Sequence, residues 1–124
     1  MKILIVDDSA NIRAMIRSII DSSDHQFLEC EDGDISLNLC DDYHPDLILM
    51  DIKMKRMNGI TATRIIKTKY PGIKIIMVTN FPYPDLTRES IAAGAERLLP
   101  KEELLSLPLL ISELFKNTEN NKHQ

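Results

Sequence analysis

No stretch of the 124-residue sequence approaches the ~18 consecutive apolar residues that a membrane span needs, and Met1-Lys2 passes directly into a strand-like run rather than a secretory leader. The expected location is therefore cytoplasmic. Basic residues are in the minority, 15 Lys and Arg against 19 Asp and Glu with a formal net charge of -4, and they form no cluster. A direct nucleic-acid partner is not expected from such a surface. There are only two cysteines, Cys30 and Cys40, without Cys-x-x-Cys spacing or neighbouring ligand residues, so they read as reduced, buried filler. No repeat is visible, and the only compositionally biased segment is a polar end from Asn117 to Gln124. What remains is one domain with enough residues for a real core.

The run Asp46 to Gly59 organises that domain. Leu47, Ile48, Leu49 and Met50 form an unbroken apolar stretch of strand length that stops at a carboxylate, Asp51. Ile3 to Val6 is a second such strand, ending at Asp7 and Asp8, and Ile73 to Val78 is a third, ending at Thr79 and Asn80. Phe27 to Glu31 reads as a weaker, edge-like strand, and Arg97 to Leu99 as a short last one before Pro100-Lys101. Helical spacing separates them. Ile12, Ile16 and Ile19 predict a first helix from Asn11 to about Ser22 with Ser9 as N-cap. Ser36, Leu37 and Cys40 share a face of a second, short helix that ends at His44-Pro45.

A third helix is expected from Ile60 to Tyr70, with Ile65 and Ile66 supplying most of its apolar content, and Pro71-Gly72 marks the turn after it. A fourth starts at Pro84 or Asp85 and is closed by Gly94. Pro108 is tolerated only in a first turn, which starts the fifth helix at Ser106 as N-cap and runs it to about Asn117, leaving Lys101 to Leu105 as a loop or single turn. Strands alternating with helices imply a parallel sheet with right-handed crossovers, and hence a three-layer α/β/α domain.

Ligands in such sheets bind outside the carboxyl ends of the strands. Asp7, Asp8, Asp51, Thr79 and Lys101 all follow predicted strands and so fall on that one edge. Singly, each has a bland explanation as a capped turn or solvated loop residue; their convergence has none. Three carboxylates brought together are unfavourable without a cation or proton, which calls for a divalent metal.

These residues resemble the receiver domains of two-component response regulators over essentially the whole chain. The resemblance is carried by Val6-Asp7-Asp8-Ser9, Met50-Asp51-Ile52-Lys53-Met54 with Met57 and Gly59, Val78-Thr79, Gly94-Ala95 and Lys101. It implies a flavodoxin-like five-stranded parallel sheet of order 2-1-3-4-5, a receiver domain over residues 1–117, and a polar tail or linker start over 118–124. It further implies that Asp51 is the phosphoacceptor, taking a phosphoryl group from a phosphohistidine on a histidine kinase or phosphotransfer protein, and that the aspartyl phosphate is slowly lost by autodephosphorylation. The implied cofactor is Mg²⁺, held by Asp8 and Asp51, by Asp7 chiefly through water, and by the backbone carbonyl of Lys53. Lys101 would pair with phosphoryl oxygens, and Thr79 would donate its hydroxyl to one and draw its loop inward.

The sequence departs from the family pattern at four places. Lys55 stands where proline commonly follows the Asp-x-x-Met stretch, Asn80 where a small residue follows the Thr, and Leu98 where an aromatic accompanies the switch. Pro100-Lys101-Glu102 replaces the usual Lys-Pro order, so the bond after Lys101 is expected trans, its cis form costing ~3 kcal/mol. A phosphorylation-independent interaction module is the alternative reading. An aspartate-nucleophile phosphatase would need an acid where Lys53 stands, and a flavodoxin-like cofactor binder a phosphate-cradling loop where the two acids stand. Leu98 and the surplus leucines of the last helix are expected to form one apolar patch for a downstream partner or a second copy.

Overall fold

A computed structural model describes residues 1–20 and 22–122, with side chains for all of these except 22 and 117–122. Strands β1 (Lys2–Val6), β2 (Gln26–Cys30), β3 (Leu47–Asp51), β4 (Lys74–Thr79) and β5 (Arg97–Pro100) alternate with helices α1 (Ala10–Ile19), α2 (Gly33–Tyr43), α3 (Gly59–Lys69), α4 (Pro84–Ala93) and α5 (Leu107–Lys122). All pairings are parallel and the strand order is β2-β1-β3-β4-β5, as the resemblance implies. In β3 all five residues are buried, so both faces of the sheet are covered. No helix among the described residues is long and apolar enough to cross a membrane.

Strand alternation divides the core into two. Leu4, Val6, Ile48, Met50 and Ile75 pack with Cys40, Ile60, Ala62, Ile66 and Ala93 from α2, α3 and α4. On the opposite face Ile3, Ile5, Leu47, Leu49 and Ile76 pack with Ile16, Leu107 and Ile111 from α1 and α5. Both cysteines are buried free thiols on the first face.

Local chemistry sets the helix ends. Ser9 caps α1, its hydroxyl accepting from the Ile12 amide, and Asn58 caps α3 through Thr61. Gly94 ends α4 at φ 113°, and a Cβ there would also press on the Lys67 side chain. The Lys67 ammonium meets Glu96 Oε1 at 2.9 Å and the carbonyls of Pro71 and Ile73 at 3.0 and 2.8 Å, tying α3 to the α3–β4 and α4–β5 loops. At the sheet edges, Glu29 of β2 is held by Arg13 and Arg17 at 3.0 and 2.8 Å, and four-residue β5 ends in a proline.

Several expectations need correction. Helix α1 ends at Ile19, and a separate 3-10 turn follows at Ser22–Asp24, so the Asn11 to Ser22 span was too long. Ile65 faces solvent; Ile60, Ala62, Thr63 and Ile66 bury α3 instead. Lys101–Ser106 is a 3-10 helix rather than a loop or single turn, so Ser106 ends that segment, and Pro108 lies in the first turn of a helix that begins at Leu107. Helix α5 continues to Lys122, past the expected end near Asn117; the expected tail at 118–124 overlaps it, and residues 123 and 124 lie outside those described. The single patch of Leu98 with the α5 leucines does not form. Leu98 is half-buried against the α2–α4 side, Leu110 packs on the α1/α5 side, and Leu105 and Leu109 are the exposed members.

Candidate functional site

The β1–β3–β4 register fixes the site. Val6 pairs with Met50, and Asp51 with Val78, so Asp7 and Asp51 leave adjacent strands at the same level, with Thr79 one residue further along the next strand. Carboxylate oxygens of Asp7, Asp8 and Asp51 lie within 4.8 Å of one another. Asp7, Asp51 and Thr79 are buried, whereas Asp8 is exposed at the mouth. From the end of β5, Lys101 reaches inward with its side chain 8% exposed and places Nζ 3.0 Å from Asp7 Oδ2 and 3.5 Å from Asp51 Oδ1. Its peptide bonds are trans, as expected, and no cis bond occurs among the described residues.

The two buried acids are anchored by backbone amides. Asp7 Oδ1 accepts from the Ser9 amide at 2.9 Å, and Asp51 Oδ1 from the Ile52 amide at 2.9 Å. Asp7 Oδ2, in contrast, is buried with no hydrogen bond, only the lysine charge opposite it. Burial, reinforced by the negative charge of Asp7 and opposed by Lys101, pushes the pKa of Asp51 up to about 6. Three carboxylates thus face one lysine. An under-bonded buried oxygen, an all-oxygen donor set and an open side at Asp8 suit a hard divalent cation that keeps some of its waters.

Thr79 reaches the right edge but is turned toward its own loop, its Oγ1 accepting from the Phe81 amide at 3.0 Å. It shares a recess of about 120 Å³ with Asn80, Pro82 and Lys101. Lys53 lies in the β3–α3 loop with its ammonium 4.0 Å from the Phe81 ring centroid, a cation–π contact that bridges two loops.

Two residues were missed from sequence. Arg13 donates to the Asp7 carbonyl at 2.6 Å and to Glu29 at 3.0 Å, bracing the acid turn from α1. Its placement beside Ile12 and Ile16 on the inner side of α1 was the available signal. The other is Asp32, whose carboxylate receives the amides of Arg56 and Met57, both at 2.9 Å. Nothing local in the sequence points to a contact across 24 residues.

Known proteins share this fold. Residues 3–108 match the response regulator receiver domain. The chain is 33% identical over 102 residues to chemotaxis protein CheY of Listeria monocytogenes, covering 82% of this chain and 86% of that protein. It is 36% identical over 103 residues to transcriptional regulatory protein YdfI of Bacillus subtilis, covering 82% of this chain but 48% of YdfI. The protein-glutamate methylesterase/protein-glutamine glutaminase of Pyrococcus horikoshii is 33% identical over 82% of this chain, which spans only 28% of that enzyme. Among solved structures, a CheY-like receiver domain protein of Methanospirillum hungatei superposes with a TM-score of 0.88 at 26% identity, covering 97% of both chains. A chain of the CheX-CheY-BeF3-Mg²⁺ complex of Borrelia burgdorferi shares the fold, with a TM-score of 0.85 at 22% identity over 93% of this chain and 89% of that one. With residues 3–108 matched to that family and the parallel sheet in the order β2-β1-β3-β4-β5, the chain belongs to the receiver domains of response regulators.

Proposed function

We propose that Asp51 is the phosphoacceptor of a two-component relay, taking its phosphoryl group from a phosphohistidine on a histidine kinase or phosphotransfer protein. The observation that carries this reading is the buried Asp51 carboxylate, 3.5 Å from the Lys101 ammonium and clustered with two further acids. A carboxylate oxygen of Asp51 attacks phosphorus, the phosphorus–nitrogen bond breaks, and the imidazole leaves with the electron pair, taking a proton from solvent. Mg²⁺, when bound, supplies charge neutralisation for the transferring group. Asp8 and Asp51 would hold it directly, Asp7 through water, and the Lys53 carbonyl would complete the protein ligands.

Lys101 moves from its carboxylate partners, Asp7 and Asp51, to the phosphoryl oxygens, which are also negatively charged. Thr79 exchanges the Phe81 amide for a phosphoryl oxygen, and its loop follows. Such a shift changes the surface of the C-terminal half, where Tyr83, Ile91, Leu105 and Leu109 are exposed apolar residues, and so alters binding to a downstream protein or to a second copy. The same site hydrolyses its own aspartyl phosphate slowly. The chain otherwise acts as a signalling domain rather than an enzyme.

The test is labelling with radioactive acetyl phosphate and Mg²⁺. Wild type is expected to take up one phosphate in an acid-stable, hydroxylamine-labile form, and Asp51→Asn none. Stoichiometric label on Asp51→Asn would remove the assignment. Sedimentation with and without beryllofluoride, on wild type and Leu109→Glu, tests the output; a monomer throughout, with partner binding unaltered, would remove the self-association part.

A further inference from the structure

We infer that Asp32 is a positioning residue for cation binding: its carboxylate holds the β3–α3 loop, with the Lys53 carbonyl, in register with the acid cluster without touching the cation. The inference rests on the phosphoacceptor reading of that cluster. Between β3 and α3 the chain runs through residues 52–58 without regular structure. A loop of that kind holds a carbonyl in place only if its amides are tied down. The amide of Gly59 donates to the Ile52 carbonyl at 2.7 Å and closes the loop at its base. At its far end Asp32 Oδ2 accepts from Arg56 N–H and Oδ1 from Met57 N–H, so consecutive amides share one carboxylate.

Three observations separate this from ordinary helix capping. Asp32 occupies the N-cap position of α2 yet makes no capping hydrogen bond there, both oxygens being given to the neighbouring loop. It is buried, and although burial by itself raises its pKa, the backbone amides around it, those of Arg56 and Met57 foremost and then those of Asp34 and Gly33, outweigh that and hold the carboxyl below its ordinary value. The next residue, Gly33, lies so close to the loop that a Cβ would stand 2.7 Å from the Met57 carbonyl, and Arg56 pairs with Asp34 at 3.5 Å outside. Asp32 and Asp8 also line one recess of about 500 Å³. The β2–α2 turn therefore acts as a fixed wall against which the cation-binding loop is set.

The experiment uses Mn²⁺ as probe, with the free ion counted by electron paramagnetic resonance on the full chain. Asp32→Ala is expected to weaken Mn²⁺ binding ~10-fold, the usual cost of removing a group that orients metal ligands. Asp32→Asn keeps one acceptor and should lose less. Lys67→Ala breaks a tie of comparable lengths at the opposite end of α3 and should bind Mn²⁺ as the wild type does. Asp32→Ala binding within about twofold of wild type would overturn the inference. So would an equal loss in Lys67→Ala, which would make the effect general loosening. If Asp32→Ala does not fold, unchanged affinity in Asp32→Asn has the same force. Wild type that takes up label at Asp51 while Asp32→Ala binds normally defeats the inference alone; wild type that neither binds Mn²⁺ nor accepts label defeats the phosphoacceptor reading and this inference together.

Discussion

Replacing Asp51 by Asn should stabilise the cation-free protein at neutral pH. The carboxyl is held at about 6 in the fold against 3.8 for an unperturbed Asp, so the folded state prefers the proton. At ~1.36 kcal/mol per pH unit the difference corresponds to about 3 kcal/mol, present in full above pH 6 and absent below 3.8. Between those values the unfolded chain ionises first and stability falls as pH rises. Asn imitates the protonated form, though its amide does not reproduce every contact of the acid, so a net gain of about 1–3 kcal/mol is expected at pH 7.5. Urea unfolding in EDTA at pH 7.5 and 3.5 measures it, and the gain should vanish at the lower pH. Adding a divalent cation at ten times its dissociation constant should stabilise wild type by about 1.4 kcal/mol and narrow the gap. A variant no more stable than wild type at pH 7.5 in EDTA would refute the idea that the fold holds these charges under mutual strain.

Gly59→Ala should abolish phosphate uptake and lower stability by at least about 3 kcal/mol, because its Cβ would run into the Asp51 carbonyl, a backbone atom that cannot yield; urea titration and acetyl phosphate labelling check both. Cys30 and Cys40 are buried and each is raised to about 11, so Ellman's reagent should find no fast-reacting thiol in native protein and two in urea. Lys67→Ala should cost about 2 kcal/mol by thermal or urea unfolding, since Glu96 and two carbonyls lose one half-buried partner, with Asp51 labelling unchanged.

Strand ends and their acids were legible because a buried parallel strand announces itself as a continuous apolar run, and the residue that stops the run lands on the binding edge. Ser9 and Gly94 were legible because capping is local chemistry. The side on which a residue packs was harder to read. Ile65 and Ile66 are equally apolar, and only the crossing of α3 over the sheet decides that Ile66 is buried. Leu98 points away from α5 because β5 pairs Leu98 with Met77, whose side chain faces α2–α4, a register that composition does not encode. Asp32 and Arg13 act on backbone atoms of other segments, which have no residue-type signature to read.

The two sheet edges bear on how this domain meets others. An exposed strand invites a further strand through its unpaired amides and carbonyls. Here β2 carries Glu29 clamped under two arginines, and β5 is four residues long and ends in Pro100, which has no amide to offer. Neither edge is a good template for strand addition, so crowding many copies carries little risk of cross-strand polymerisation. Any reversible assembly is left to the helix faces, where binding can be tuned by small shifts and undone without opening the sheet.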